Sequence, residues 1–133
     1  MNNYTDTLRA HNLKATPQRI EIANVLHKEG HISIEKLYET MLKKFNSISL
    51  ATIYKNINIM TDAAFIQEVK IPNEKSVYEL SMEAHSHLSC KKCGKVEDII
   101  LDLSDVTKNA TKSSHYKIDK VSLVLSGLCK ECQ

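Results

Sequence analysis

Apolar residues recur at spacings of three and four through the first half of the chain and then give way to alternation, so helices are predicted first and strands afterwards. Thr16-Pro17 places a capping hydroxyl ahead of a proline at the first helical position, and Ile20, Ala23, Val25 and Leu26 supply an apolar stripe up to Gly30. Ser33 caps a second helix carrying Ile34, Leu37, Tyr38, Met41, Leu42 and Phe45, which Asn46 and Ser47 end. Ser49 opens a third, in which Leu50, Ile53, Ile57 and Met60 form the apolar face while Thr52, Lys55, Asn56 and Ile59 point the other way. Helices joined this tightly predict a helix-turn-helix. Past Ala64 the texture changes: residues 65–70 and 76–80 are strand-like, and the turn-forming Ile71-Pro72-Asn73-Glu74-Lys75 between them makes a hairpin. Helices followed by a hairpin give a winged helix. Farther on, alternating runs at 96–101 and 117–125 flank a helical stretch near 103–113. The expected fold is α+β, with an N-terminal winged helix-turn-helix over residues 1–80 and a C-terminal α/β domain over 81–133.

Composition narrows the function little. At 133 residues the chain fits one ordinary domain or two very small ones, and small domains bury too little surface to be secure unaided. Eighteen Lys and Arg against sixteen Asp and Glu leave a formal charge of +2, a weak bias that does not by itself indicate nucleic acid. No apolar stretch approaches the roughly 20 residues that cross a bilayer, so no membrane is expected. The segment from Met1 to Leu13 is polar and has no signal-peptide core, which points to a reducing cytoplasm.

Cysteine changes the picture. All four cysteines fall in two C-x-x-C pairs, Cys90 with Cys93 and Cys129 with Cys132, separated by 35 residues. Two residues between sulfurs allow a tight turn to aim both at one ion, and two such turns complete a tetrahedral shell, so a structural zinc site stapling the C-terminal domain is expected. Disulfides, buried free thiols and a redox dithiol are the alternatives. A closed shell binds metal without Lewis-acid chemistry, because no coordination position is left open.

A second constellation lies just upstream. On a strand, residues two apart face the same side, so His85 and His87 can meet one ion while Ser86 faces away. Glu79 precedes this pair on the hairpin's outgoing strand and Asp98 follows on the next strand. Imidazoles with carboxylates suit iron(II), manganese(II) or zinc(II), unlike the soft thiolate shell. His31, at the Gly30 break, is a further candidate, whereas His11, His27 and His115 have no such neighbours.

The string Leu13-Lys14-Ala15-Thr16-Pro17-Gln18-Arg19, then His31 ahead of Leu37-Tyr38, then Ser49-Leu50-Ala51-Thr52-Ile53-Tyr54-Lys55, then His85-Ser86-His87 with the two C-x-x-C pairs, resembles the ferric uptake regulator superfamily over essentially the whole chain. The resemblance implies a homodimeric transcription repressor on double-stranded operator DNA, not an enzyme, with a winged-helix DNA-binding domain and a C-terminal dimerisation domain. It also implies that Cys90, Cys93, Cys129 and Cys132 hold structural zinc. His31, Glu79, His85, His87 and Asp98 match a regulatory site for iron(II) or manganese(II). Ala84, Ser86 and Val121 stand where many iron-sensing members have further ligands, so a third site is not expected. Asp98 is like the peroxide-sensing branch and Glu79 like the iron-sensing branch; with the third site lost, the peroxide sensor is favoured. In such sensors the iron-bound site reduces peroxide, His31 and His85 are oxidised, and DNA is released.

The third helix is the expected recognition helix, with Ser49, Thr52 and Lys55 able to reach phosphates or base edges. Tyr54 lies about 80° from the centre of the apolar face, on a flank, yet the resemblance makes it a base contact. Lys14 and Arg19 are phosphate contacts by the same resemblance. Two other classes compete: a zinc-dependent hydrolase or deaminase, for which the chain has no H-E-x-x-H motif, and a thiol redox switch, which a closed metal shell would suppress.

Overall fold

The computed structural model describes residues 3–81 and 85–133, and the chain divides into two units, Met1–Met82 and Glu83–Gln133. In the first, α1 (Thr5–Ala10), α2 (Pro17–Glu29), α3 (Ile34–Leu42) and α4 (Leu50–Asp62) precede a hairpin of β1 (Ile66–Val69) and β2 (Val77–Leu80). The three capping side chains act as their sequence positions require: Thr16, Ser33 and Ser49 accept from the backbone N–H groups of Arg19, Lys36 and Thr52, each satisfying an otherwise orphaned donor. Leu8, Ile22, Leu26, Leu37, Met41, Ile53, Ile57, Met60 and Ile66 are fully buried and form one continuous core.

Three positions on α4 depart from the expected faces, and one is Ile59, which is half-buried and packs against the core instead of pointing away from it. Leu50 is exposed, because it is the first helical residue after the cap and lies at the rim of the packed surface. Asn56 is buried, because it lies three residues after Ile53 and four before Met60, on the same side of the helix. Its polar atoms are satisfied there: Oδ1 accepts from Arg19 Nε at 3.1 Å, and Nδ2 donates to the Thr52 carbonyl at 3.1 Å.

At the end of α2, Gly30 takes φ 78°, a turn that a side chain would strain, while its N–H bonds the Leu26 carbonyl. The chain is thereby thrown across the hairpin, where Ile32 and Tyr78 exchange both backbone hydrogen bonds, at 3.1 and 2.8 Å. The hairpin itself pairs Gln67 with Glu79 and Val69 with Val77.

The second unit is a sheet in the order β4-β3-β5, with β3 (Ser86–Cys90) antiparallel to β4 (Val96–Ile99) and parallel to β5 (Val124–Gly127). Between β4 and β5 runs α5 (Ser104–Ser114), none of whose residues is buried. The strand expected at 117–125 is shorter and later. A ladder extends only as far as its partner, and the register of His87 with Val124 through Cys90 with Gly127 confines β5 to the length of β3. Among the described residues of this unit only Ser86, His87, Ser89 and Cys90 are buried, while Ile100, Tyr116, Leu125 and Leu128 are exposed. Such a unit has little apolar core of its own.

Candidate metal centres

The two C-x-x-C pairs meet. Cys90 ends β3, Cys93 lies in the turn that follows, and just past β5 Cys129 precedes the single helical turn Lys130–Cys132, which Cys132 ends. The parallel register brings Cys90 beside Gly127, two residues before Cys129. One sulfur from each cysteine lies within 4.8 Å of every other, and Cys93 Sγ and Cys129 Sγ are 3.8 Å apart. A tetrahedron with metal–sulfur bonds of about 2.3 Å has edges of about 3.8 Å. A disulfide would need a separation of about 2 Å. The soft donor set and its spacing therefore fit zinc.

The backbone reinforces this arrangement. Gly94, at φ 79°, folds its N–H back onto the Cys90 carbonyl at 3.0 Å. The N–H groups of Cys129 and Cys93 donate to Cys90 Sγ at 3.4 and 3.5 Å. These two donors hold the Cys90 thiol down at about 5, whereas sharing a hydrogen with the Cys129 sulfur pushes Cys132 up to about 12.

The hard-donor candidates arise from strand register in each unit. In the first unit, the Ile32–Tyr78 bridge puts the preceding His31 opposite the following Glu79, and His31 Nε2 lies 2.9 Å from Glu79 Oε2. Glu79 is only 1% exposed, so its carboxylate is held by protein groups rather than water. Its other oxygen, Oε1, accepts from Gln67 Nε2 at 2.5 Å. Gln67 was not apparent as a site residue from the sequence; the signal that could have found it is its place opposite Glu79 across the hairpin.

In the second unit His87 pairs directly with Asp98 across β3 and β4, and His85 lies two residues earlier on the same face. Asp98 Oδ1 is 3.5 Å from His85 Nε2 and 3.6 Å from His87 Nε2, and the two imidazole centroids are 4.5 Å apart. These separations are long for direct hydrogen bonds and close to the 3–3.5 Å or so between neighbouring ligands about one ion. Imidazole and carboxylate donors of this kind fit a divalent iron or manganese ion. Of the places where a third site would need ligands, Ala84 lies outside the described residues, Ser86 is buried on the opposite face of β3, and Val121 is exposed. His11 Nδ1 bonds the Thr7 carbonyl, and its ring packs edge-on to Phe65; His27 and His115 are exposed.

On α4, Ser49 and Lys55 are exposed and Thr52 half-buried, with the Ser49 and Thr52 hydroxyls hydrogen-bonded to each other at 2.9 Å. Tyr54 is 44% exposed, on the flank where helical geometry puts it. Lys14 is exposed. Arg19 is more committed to the protein than a phosphate contact alone requires, since its guanidinium also bonds the Lys14 carbonyl at 3.3 Å.

Residues 10–126 match the ferric uptake regulator family. The chain belongs to that family. It is 30% identical over 129 residues to the peroxide-responsive repressor PerR of Staphylococcus epidermidis, covering 96% of this chain and 86% of the relative. It is 31% identical over 125 residues to the ferric uptake regulation protein of Legionella pneumophila, covering 91% and 92%. The ferric uptake regulator of Vibrio cholerae superposes with a TM-score of 0.79 at 32% identity, over 96% of this chain and all of that one. As a member of the ferric uptake regulator family the protein is a metal-dependent, DNA-binding transcription regulator; members of this family are dimeric regulators rather than enzymes. Among the described residues no helix is long and apolar enough to cross a membrane.

Proposed function

We propose that the protein is a cytoplasmic peroxide-sensing repressor, in which His31, Glu79, His85, His87 and Asp98 jointly hold one iron(II) or manganese(II) ion. The observation that carries this is Asp98, whose short carboxylate is directed at both imidazoles from the paired strand. His31 and Glu79 belong to the DNA-binding unit and the other ligands to the second unit, so a shared ion biases how the two are held and hence how well a dimer fits its operator. If iron(II) were bound there, it would promote the two-electron reduction of peroxide in which one oxygen is inserted into an imidazole C–H bond and the other leaves as water. His31 and His85 are the residues that take the oxidation, and once modified they hold metal less well and release the DNA. Cys90, Cys93, Cys129 and Cys132 hold zinc as a frame. Dimerisation uses the second unit, whose edge strand β5 exposes Leu125, with Leu128 exposed just past its end. Lys14, Arg19, Ser49, Thr52, Tyr54 and Lys55 contact operator DNA.

An iron-responsive repressor of uptake genes is the second reading, favoured by glutamate rather than aspartate at position 79. One experiment separates the two. Iron(II)-loaded protein is exposed to micromolar peroxide, and operator binding is measured alongside the mass of histidine-containing peptides. The peroxide sensor gains one oxygen on His31 or His85 and loses DNA, while a manganese(II)-loaded control does neither. Unchanged mass with retained binding leaves the iron-responsive reading.

A further inference from the structure

Glu79 sits in the middle of a row. The antiparallel bridge on one side of β2 brings His31 opposite it, and the hairpin ladder on the other side brings Gln67 opposite it. Cross-strand partners in one row project to the same face, so the three side chains meet as a consequence of register alone. The contacts agree: Oε2 of Glu79 lies 2.9 Å from His31 Nε2, and Oε1 accepts from the Gln67 amide at 2.5 Å. An ionised carboxylate can only accept, which fixes the amide nitrogen rather than the amide oxygen toward Glu79. Gln67 thus occupies one oxygen of a carboxylate that is otherwise sealed from water.

We propose that Gln67 is a positioning residue for the regulatory metal site, holding Glu79 so that it presents a single oxygen, Oε2, alongside His31. The inference rests on the assignment of His31 and Glu79 as metal ligands. A carboxylate with one oxygen already bonded is held against rotating to offer both, and orienting partners of this sort commonly contribute ten- to hundredfold, roughly, to metal affinity. Gln67 therefore does two things: it lowers the cost of ordering Glu79, and it disfavours two-oxygen binding, which raises coordination number.

The test uses the full-length zinc-containing protein and manganese(II), a hard ion that the thiolate shell does not favour. Free manganese(II) is counted by its solution electron paramagnetic resonance signal, and the zero-field splitting of the bound ion is read from the same samples. Gln67→Met keeps the length and removes the donor. Gln67→Thr removes its reach and suits a strand, so it carries the measurement if the first variant misfolds. Both variants are expected to bind manganese(II) about tenfold more weakly, with a changed splitting, while zinc content and circular dichroism stay as in the parent. A purely structural Gln67 would alter stability and leave the spectrum of the bound ion unchanged. His31→Ala is run in parallel. If it abolishes binding while both Gln67 variants match the parent in affinity and splitting, the role of Gln67 is overturned and the ligand assignment stands. If His31→Ala binds as the parent does, the ligand assignment fails and this inference falls with it.

Discussion

Asn56 shows what a single residue can tie together. Its carboxamide accepts from Arg19 of α2 and donates to its own helix at Thr52, so it links the neighbouring helix to the one expected in the DNA groove. Asn56→Ala leaves Arg19 Nε without that acceptor and should cost about 1–2 kcal/mol, read as a lower urea midpoint with unchanged slope. Operator affinity should fall with it. Asp98→Glu belongs to the same scale: the added methylene takes the carboxylate out of its place between two imidazoles, and the expected outcome is retained manganese(II)-dependent operator binding with a weakened response to peroxide. Helical spacing sets Asn56 apart from the apolar face, and only the position of Arg19 reveals why its burial is tolerated. The four cysteines and the candidate histidines and carboxylates were legible because their chemistry is rare and their spacing specific. Gln67 was not, since a glutamine on a strand looks like any solvated residue until its cross-strand partner is known.

Among the elements, helix starts were the most legible part, because a hydroxyl cap is a local device that needs nothing from the rest of the fold. Strands were harder. Alternation at residues 117–125 is real, but strand extent is set by a partner distant in sequence, so only 124–127 pair. The ends of helices matter as much as their starts. Gly30→Ala puts a methyl group on a backbone at φ 78° that disfavours it, at a cost of about 1 kcal/mol, and the next residue is His31. The expected result is a lowered melting temperature together with weakened manganese(II) binding. The neighbouring change Glu29→Ala, in an exposed helical position, should alter neither.

For the whole molecule, the two units differ in what stabilises them. The first has an apolar core assembled from all four helices and the hairpin, and should stay folded on that basis alone. The second buries a histidine, two serines and a cysteine among its described residues, too small a core to stabilise it unaided, so metal in the four-cysteine site and a partner subunit are expected to supply the rest. Stripping zinc with a strong chelator under reducing conditions should leave amide protection in α2, α3 and α4 while protection in β3, β4 and β5 is lost, as read by hydrogen exchange. Sedimentation of the same sample should show monomer. Cys93→Ser should reproduce both effects without chelator.

The parallel pairing of β3 with β5 has a consequence in time. Cys93 and Cys129 stand 36 positions apart, and the segment between them must be looped out before any rung of that ladder forms. Closing such a loop is an entropic search whose cost is met before the sheet returns any contact energy, which makes distant parallel pairing intrinsically slow. The sulfurs lie at the same end of the ladder as its last rung, Cys90 with Gly127, where an ion captured early would act as a rivet at the point of closure. Newly made chains should therefore mature at a pace governed by zinc supply, waiting half-built when it is scarce.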